Sequence, residues 1–473
     1  MIEELIDRIQ MNPDGARSLW KLREEDLARR VRQMLSLRLR LERLWAGVFG
    51  RRARPRVMAT ACWGFPIYSQ TFVYQELSQL IGRGFNVRFL YSKLNPRDHL
   101  PSQFSRLWRA KRKLVLHPAV CKHDYEYFAR RIPDKVETLV EQLCRASGMP
   151  PQQIRTHYHF LQAFAFTRMV EACRPDYLHS YFFYEGTLFT FVASYLLGIP
   201  RGVSCYTDHM LDDYALKVVQ LHLQQCSLVV ATSERIKREL IRIAPGCDPG
   251  RIIVKPNAIN SERFPFVERQ DPGTGQPYRL ICVSRIEPKK GTLYLIEAVR
   301  RLLDKGIKVN LHLLGGVDDN LASKEYARAV DLKIQELRLG GLIRLEGRKG
   351  ESEIQRLLKA SHLFVAPFVE TESGDKDGIP TALLEAMSSG LAAVATDAGS
   401  IAEVIDDGLN GVLVAQHDAG ALAIAIESLL LDPARRQRLG REAALKIRQH
   451  FDVGVCERVF HDRLRVVVGV QNA

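Results

Sequence analysis

Short apolar runs, each followed by a turn rich in glycine, proline or polar residues and then by a segment of helical periodicity, recur along most of the chain. Runs at 57–63, 86–91, 177–180, 202–206, 227–232 and 252–254 read as buried strands. Between the first two, Gly64-Phe65-Pro66 makes a turn and Ser69-Gln70-Thr71 opens a helix with Phe72, Leu77, Leu80 and Ile81 on one face, stopped by Gly84. A helix at 186–197 closes at Gly198 and Pro200. A second series follows at 279–284, 309–314, 343–345, 363–367 and 392–396, with helices at 292–303 and 381–388. Gly399-Ser400 opens a further helix, and beyond 411–414 the chain reads as helical throughout. Strands that alternate with helices in this way build parallel sheets, whose ligands sit at the carboxyl ends of the strands. The polar, Pro- and Gly-rich segment 265–278 divides the two series and reads as a linker. Its GTGQ is no dinucleotide fingerprint, because no strand leads into it and no helix follows.

Two stretches depart from this alternation. Residues 94–158 are helical, basic and aromatic, with the most basic run at 106–113. Residues 1–56 form an extension before the first strand: from Leu27 to Arg56 there are ten arginines against one acid, Glu42, with Leu27, Val31, Met34, Leu37, Leu41, Leu44, Trp45 and Val48 at helical spacing. That pattern fits a basic amphipathic helix on an anionic membrane surface. It fits equally a helix packed on the protein itself with its arginines in water, and the alternation of Leu35, Leu37, Leu39 and Leu41 also permits a strand.

The formal net charge of +14 calls for an acidic partner, which nucleic acid, anionic lipid or a nucleotide diphosphate would each supply. No nucleic-acid-binding signature is present, so nucleic acid is not expected. The nine cysteines contain no C-x-x-C pair and read as thiols of a reducing cytosol; no apolar run approaches the length that spans a bilayer.

Candidate chemistry concentrates in the second series. Arg285 and Lys290 flank a tight turn after the strand 279–284, where a planar fork and a point charge can clamp a diphosphate. Gly378-Ile379-Pro380-Thr381-Ala382 leads into the helix 381–388, whose first N–H groups offer an anion site. Asp377 and Glu385, eight residues apart, are placed to face one ligand from different depths. Gly347 ends a strand where close approach of a base or ribose suits a glycine. In the first series His209 stands just beyond a strand's carboxyl end.

The segment DGIPTALLEAMSSGLAAVATDAGSIAEVIDDGLNGVLV resembles the signature region of the retaining glycosyltransferases of family 4. The turn at Arg285, Lys290 and Gly291 is similar to that family's G-R-l-x-x-x-K-G pattern, with Ser284 in place of glycine. His179, Thr207, His209 and Asp212 match its H-x-H-F … T-x-H-x-x-D region, with Tyr181 for a histidine. The segment FPIYSQTFVYQEL resembles the opening of the colanic-acid-type exopolysaccharide subgroup, with Gln70 for glutamate.

The resemblance implies an α/β protein of GT-B architecture, with two Rossmann-like domains facing a cleft. These are an acceptor domain at 57–264 and a nucleotide-sugar domain at 279–445, with a final helical segment, 446–473, crossing back to the first. It implies a retaining transferase that uses a nucleotide-sugar donor and a glycan or lipid-linked acceptor and needs no metal or other cofactor; the basic stretches 27–56 and 106–113 add the expectation of a peripheral position on the inner face of the plasma membrane. In that scheme Asp377 faces the donor sugar and Glu385 the ribose, Gly64 and Ser69 belong to the loop beside the donor, and His209 joins the catalytic set. The family's usual residue at the position of Asp377 is glutamate. A sugar-nucleotide epimerase and a non-catalytic binding subunit are the rival readings.

Overall fold

The computed structural model describes residues 26, 29–33, 37, 56–60, 64–67, 70–95, 100–206, 211, 216, 218–273 and 275–469. Ser69, His209 and Asp212, and most of the basic stretch 27–56, lie outside them.

The first sheet is built from β1 (Arg56–Thr60), β2 (Asn86–Tyr91), β3 (Lys111–Lys113), β4 (Tyr177–Tyr181), β5 (Arg201–Cys205), β6 (Leu228–Ala231) and β7 (Ile252–Val254). All seven run parallel, in the order β3-β2-β1-β4-β5-β6-β7. Helix α1 (Thr71–Gly82) links β1 to β2, with Val73, Leu77 and Leu80 buried against the sheet. Strand β3 is an edge strand of three cations, of which only Lys113 is buried; nothing in its side-chain pattern announces a strand. The basic run before it leaves Arg106, Trp108 and Arg109 exposed, with Lys111 Nζ 4.7 Å from the Trp108 ring centre.

Between β3 and β4 the chain inserts helices α2 (Pro118–Arg131), α3 (Pro133–Ser147) and α4 (Tyr158–Cys173). Their apolar faces close on a core of their own around Phe128, Leu139, Phe160 and Phe164, shared with α5 (Glu185–Leu197). The described part of the N-terminal extension docks on this insertion. Arg32 Nε donates to the fully buried Asp124 at 3.0 Å, and its second nitrogen bonds the other carboxylate oxygen. At that point the arginine serves the protein's own packing, as a buried charge must when taken from water.

The remaining element of the first domain that bears on the site is helix α6 (Glu234–Ile243), which follows β6. The second sheet comprises β8 (Tyr278–Val283), β9 (Val309–Leu314), β10 (Ile343–Gly347), β11 (Leu363–Ala366), β12 (Ala393–Thr396) and β13 (Val412–Val414). Its order is β10-β9-β8-β11-β12-β13, again all parallel. The central strands β8 and β11 are buried on both faces, so alternate residues serve two cores: Leu280, Cys282, Leu363 and Val365 on one side, Ile281, Phe364 and Ala366 on the other. The direction of winding reverses between β8 and β11, the place where an open parallel sheet leaves a crevice at its carboxyl edge. Helix α7 (Thr292–Asp304) follows β8, and α8 (Thr381–Ser388) follows β11. Gly399-Ser400 opens only the single 3-10 turn Ile401–Glu403, because the acidic turn at Asp406-Asp407-Gly408 follows directly.

Helix α9 (Val453–Val467) lies against the first domain: Phe460 and Leu464 are buried in the same core as Val57, Phe89 and Val203. It also supplies half of a buried ionic cluster. Lys255, beyond β7, is 2.7 Å from Glu76 of α1 and 2.9 Å from Glu457 of α9. All three are buried, and Tyr181 donates to Glu76 at 2.5 Å. His179 belongs to this interior. It is buried, bonded to Ser204 at 2.8 Å and Tyr177 at 3.1 Å, and burial holds its pKa down to about 4.

Candidate active site

The crevice between β8 and β11 is walled by two loops. The first, 284–291, carries Arg285 and Lys290 and is pinned by its own backbone. Gly291 has φ +60, and a Cβ there would lie 1.8 Å from the Pro367 carbonyl oxygen. That close approach seats the loop on the end of β11 and brings Lys290 toward the second loop, 367–380. Gly315 does the same at the end of β9, where a Cβ would lie 1.8 Å from the Ser284 carbonyl oxygen.

Lys290 is buried, its Nζ 4.3 Å from the centre of the Phe368 ring and ion-paired with Asp377. Beside it Lys289 is held by Asp375 at 3.0 Å. Arg285 is more open, ion-paired with Glu287 at 2.9 Å and hydrogen-bonded to Asp318. Sequence reasoning singled out Arg285, Lys290 and Asp377 but not the carboxylates of Asp318 and Glu287 that hold Arg285. Those acids stand in no fixed spacing to the cations they pair with.

Asp377 leads into α8 through Gly378 and the buried Ile379. Pro380 occupies the cap position, one residue earlier than a first-turn proline, and the helix start has no side-chain cap. Its carbonyl accepts from Leu383 N at 3.2 Å, so the N–H groups of Thr381 and Ala382 are the ones this geometry presents to an anion. Glu385 sits one turn further in, half-buried. Burial, reinforced by the charge of Glu351 and partly offset by Arg263, pushes its carboxyl up to about 8. Gly347 has φ +67, and a Cβ there would meet nothing within 4 Å, so the conformation of the turn is what asks for glycine.

Residues 285–290 and the Asp377 turn therefore meet in one crevice of the second domain, and Glu385 lies on the partly exposed side of α8 with Thr381 and Ala382. Gly64 is in the first domain, paired with Lys93, and a Cβ there would make ordinary contacts of 3.8 Å with Ile67. The two domains meet at the Asp377 turn: a Cβ on Gly378 would lie 3.1 Å from the Tyr206 carbonyl oxygen, and Asn257 Nδ2 donates to the Ile379 carbonyl at 3.2 Å. A clamp of cations, a helix start and two carboxylates can together hold a ligand that is anionic at one end and rich in hydroxyls at the other.

Comparison with known proteins meets this geometry from outside. Residues 266–446 match the family Glycosyl transferases group 1, and residues 118–263 match Glycosyltransferase Family 4. A Salmonella typhimurium protein named colanic acid biosynthesis glycosyltransferase WcaL is 30% identical over 223 residues, 47% of this chain but only 53% of that protein. The amylovoran biosynthesis glycosyltransferase AmsK of Erwinia amylovora is 24% identical over 404 residues, 83% of this chain and 95% of AmsK. Among solved structures, Anabaena Alr3699/HepE in complex with UDP superposes with a TM-score of 0.63 at 17% identity, over 87% of this chain and all of HepE.

Proposed function

Since the chain belongs to glycosyltransferase family 4 and has the GT-B fold, we propose that it transfers a sugar, with retention at the anomeric carbon, from a nucleotide-diphosphate donor to a glycan or lipid-linked acceptor in bacterial exopolysaccharide or cell-surface glycan synthesis. The observation that carries this reading is the convergence of Arg285, Lys290, Asp377 and the uncapped start of α8 on one crevice. The names of WcaL and AmsK support the polysaccharide setting, and the UDP held by HepE supports a nucleotide diphosphate as the leaving group.

Breaking the anomeric C–O bond leaves negative charge on the diphosphate. Arg285, Lys290 and the N–H groups of Thr381 and Ala382 stabilise that charge, which is catalysis by preorganised electrostatics. Asp377 accepts from hydroxyls of the sugar and Glu385 from the ribose. No described side chain stands as a committed nucleophile, so the acceptor attacks from the face the diphosphate leaves, and the departing phosphate oxygen takes the acceptor's proton. The cations perform the work a metal would otherwise do, and the scheme uses none. His209 joins from the first domain.

The exposed Arg106, Trp108 and Arg109 favour a peripheral position on the anionic inner face of the plasma membrane. No described helix is long and apolar enough to cross a membrane.

A panel of nucleotide-sugars screened by thermal shift identifies the donor, and transfer to membrane extracts is then compared between the wild type and Glu385→Ala. Turnover by the wild type that collapses in the variant supports the reading. Donor binding without turnover on any lipid-linked acceptor favours a non-catalytic binding subunit, and turnover of donor without acceptor into an isomer favours an epimerase.

A further inference from the structure

At the rim of the cleft the two domains touch through a contact that none of the donor-binding groups makes. Ser233 caps α6, its Oγ accepting from Ile236 N at 3.1 Å. The next two N–H groups of the helix start donate across the cleft to a single carboxylate of the second domain: Glu234 N to Glu403 Oε2 at 2.7 Å, and Arg235 N to Glu403 Oε1 at 2.9 Å. The contact continues through side chains. Arg235 Nε donates to Ser400 Oγ at 3.1 Å, and that hydroxyl bonds Ser233 Oγ at 2.9 Å. Both serines are buried. A helix start with the positive end of its dipole is thus capped by a carboxylate supplied from another domain, two residues of one meeting two oxygens of the other.

The second-domain side of this contact leads straight to the sugar-facing turn. Glu403 closes the 3-10 turn that begins after Ser400. Gly399, the residue before, has φ +62, and a Cβ there would lie 2.0 Å from the Asp377 carbonyl oxygen. Backbone therefore rests on backbone between the rim contact and Asp377, with no side chain to give way. Two further described first-domain contacts to this turn, from Tyr206 and Asn257, are neutral.

We propose that Glu403 is a positioning residue: capping α6 from the opposite domain, it latches the cleft closed and fixes the Asp377 turn against the acceptor domain. The latch rests on the contacts just described, whereas its importance for transfer rests on the function proposed above. Donor entry and product exit require the two N–H groups to exchange the carboxylate for water and back again in each cycle.

Small-angle scattering of the full chain tests the latch without reference to activity. Glu403→Ala is expected to enlarge the radius of gyration while leaving the affinity for UDP or GDP, read by calorimetry, unchanged. Ser400→Ala is expected to shift the scattering in the same direction by less. In the transfer assay Glu403→Ala lowers kcat by roughly ten- to a hundredfold, the scale of a small misplacement of reacting groups, and leaves the donor KM in place; Glu403→Gln, which keeps one acceptor oxygen, recovers part of the loss. Scattering curves of both variants that superimpose on the wild type overturn the latch, whatever the activity. An enlarged particle with unaltered kcat overturns the positioning role. If the wild type transfers nothing, the proposed function fails while the scattering arm still decides the latch.

Discussion

Lys290 and Asp377 form an ion pair in the crevice between the two loops, so the cation meant for a diphosphate and the acid meant for a sugar hold one another. Lys289 and Asp375 repeat the arrangement one step away, and Arg285 is held by Glu287 and Asp318. An incoming nucleotide-sugar exchanges these partners: phosphate oxygens take the cations and hydroxyls take the freed carboxylate. Asp377→Asn is accordingly expected to tighten the binding of a bare nucleoside diphosphate by several-fold, on the order of 1 kcal/mol, while lowering transfer. Calorimetry with the diphosphate and with the donor, set side by side, reads both effects.

The clamp itself is tested by Arg285→Ala. Removing a charge-assisted contact to phosphate costs about 1.5–3 kcal/mol, so donor and nucleoside diphosphate should weaken together by roughly ten- to a hundredfold. Unaltered affinity for the diphosphate removes Arg285 from the site.

Glu385 makes the site sensitive to pH. Its carboxyl sits at about 8 in the folded chain against an ordinary 4.5. Folding thus favours the protonated form, and the share of stability tied to this group is full below the ordinary value and declines as pH rises from about 4.5 to about 8. Glu385→Gln should melt near the wild type at about pH 4 and above it at about pH 8. If the ribose hydroxyls donate to the ionised form, nucleotide binding at neutral pH releases a proton, and affinity climbs with pH up to about 8. Titrations in two buffers of different ionisation enthalpy measure the proton directly.

Lys255 is the one cation shared by Glu76 and Glu457 within their buried cluster. Lys255→Met strands two carboxylates in the core, and breaking a buried pair in this way costs about 3–5 kcal/mol. The triple variant with Glu76→Gln and Glu457→Gln should recover most of the loss, because no uncompensated charge remains. Chemical denaturation of the first-domain transition distinguishes the two.

The parallel strands were legible in the sequence because buried apolar residues recur between turn signals: 86–91 and 309–314 coincide with β2 and β9, although Asn86, Arg88, Asn310 and His312 alternate with the buried positions at their starts. Strand β3 was not legible, since Lys111-Arg112-Lys113 at a sheet edge satisfies its backbone without any apolar signal. The α8 start and the Arg285 turn were found because glycine, proline and cations stand there in a fixed order. Glu76 was missed although a charge within the buried stripe of α1 is itself a signal. The Glu403 contact had no such signal, because its partners are backbone N–H groups more than 160 residues away.

Helix α9 gives the molecule an order of assembly. Phe460, Leu464 and Glu457 complete a core that begins with Val57 and Phe89, so the domain synthesised first cannot close until the second has left the ribosome. At ordinary elongation rates that delay is on the order of ten seconds or more. During it Glu76 and Lys255 have each other but not Glu457, and the bed of Phe460 stays open to solvent and to chaperones. A fragment cut at the 265–278 linker is held permanently at that stage, and supplying residues 446–473 as a separate peptide is the way to release it.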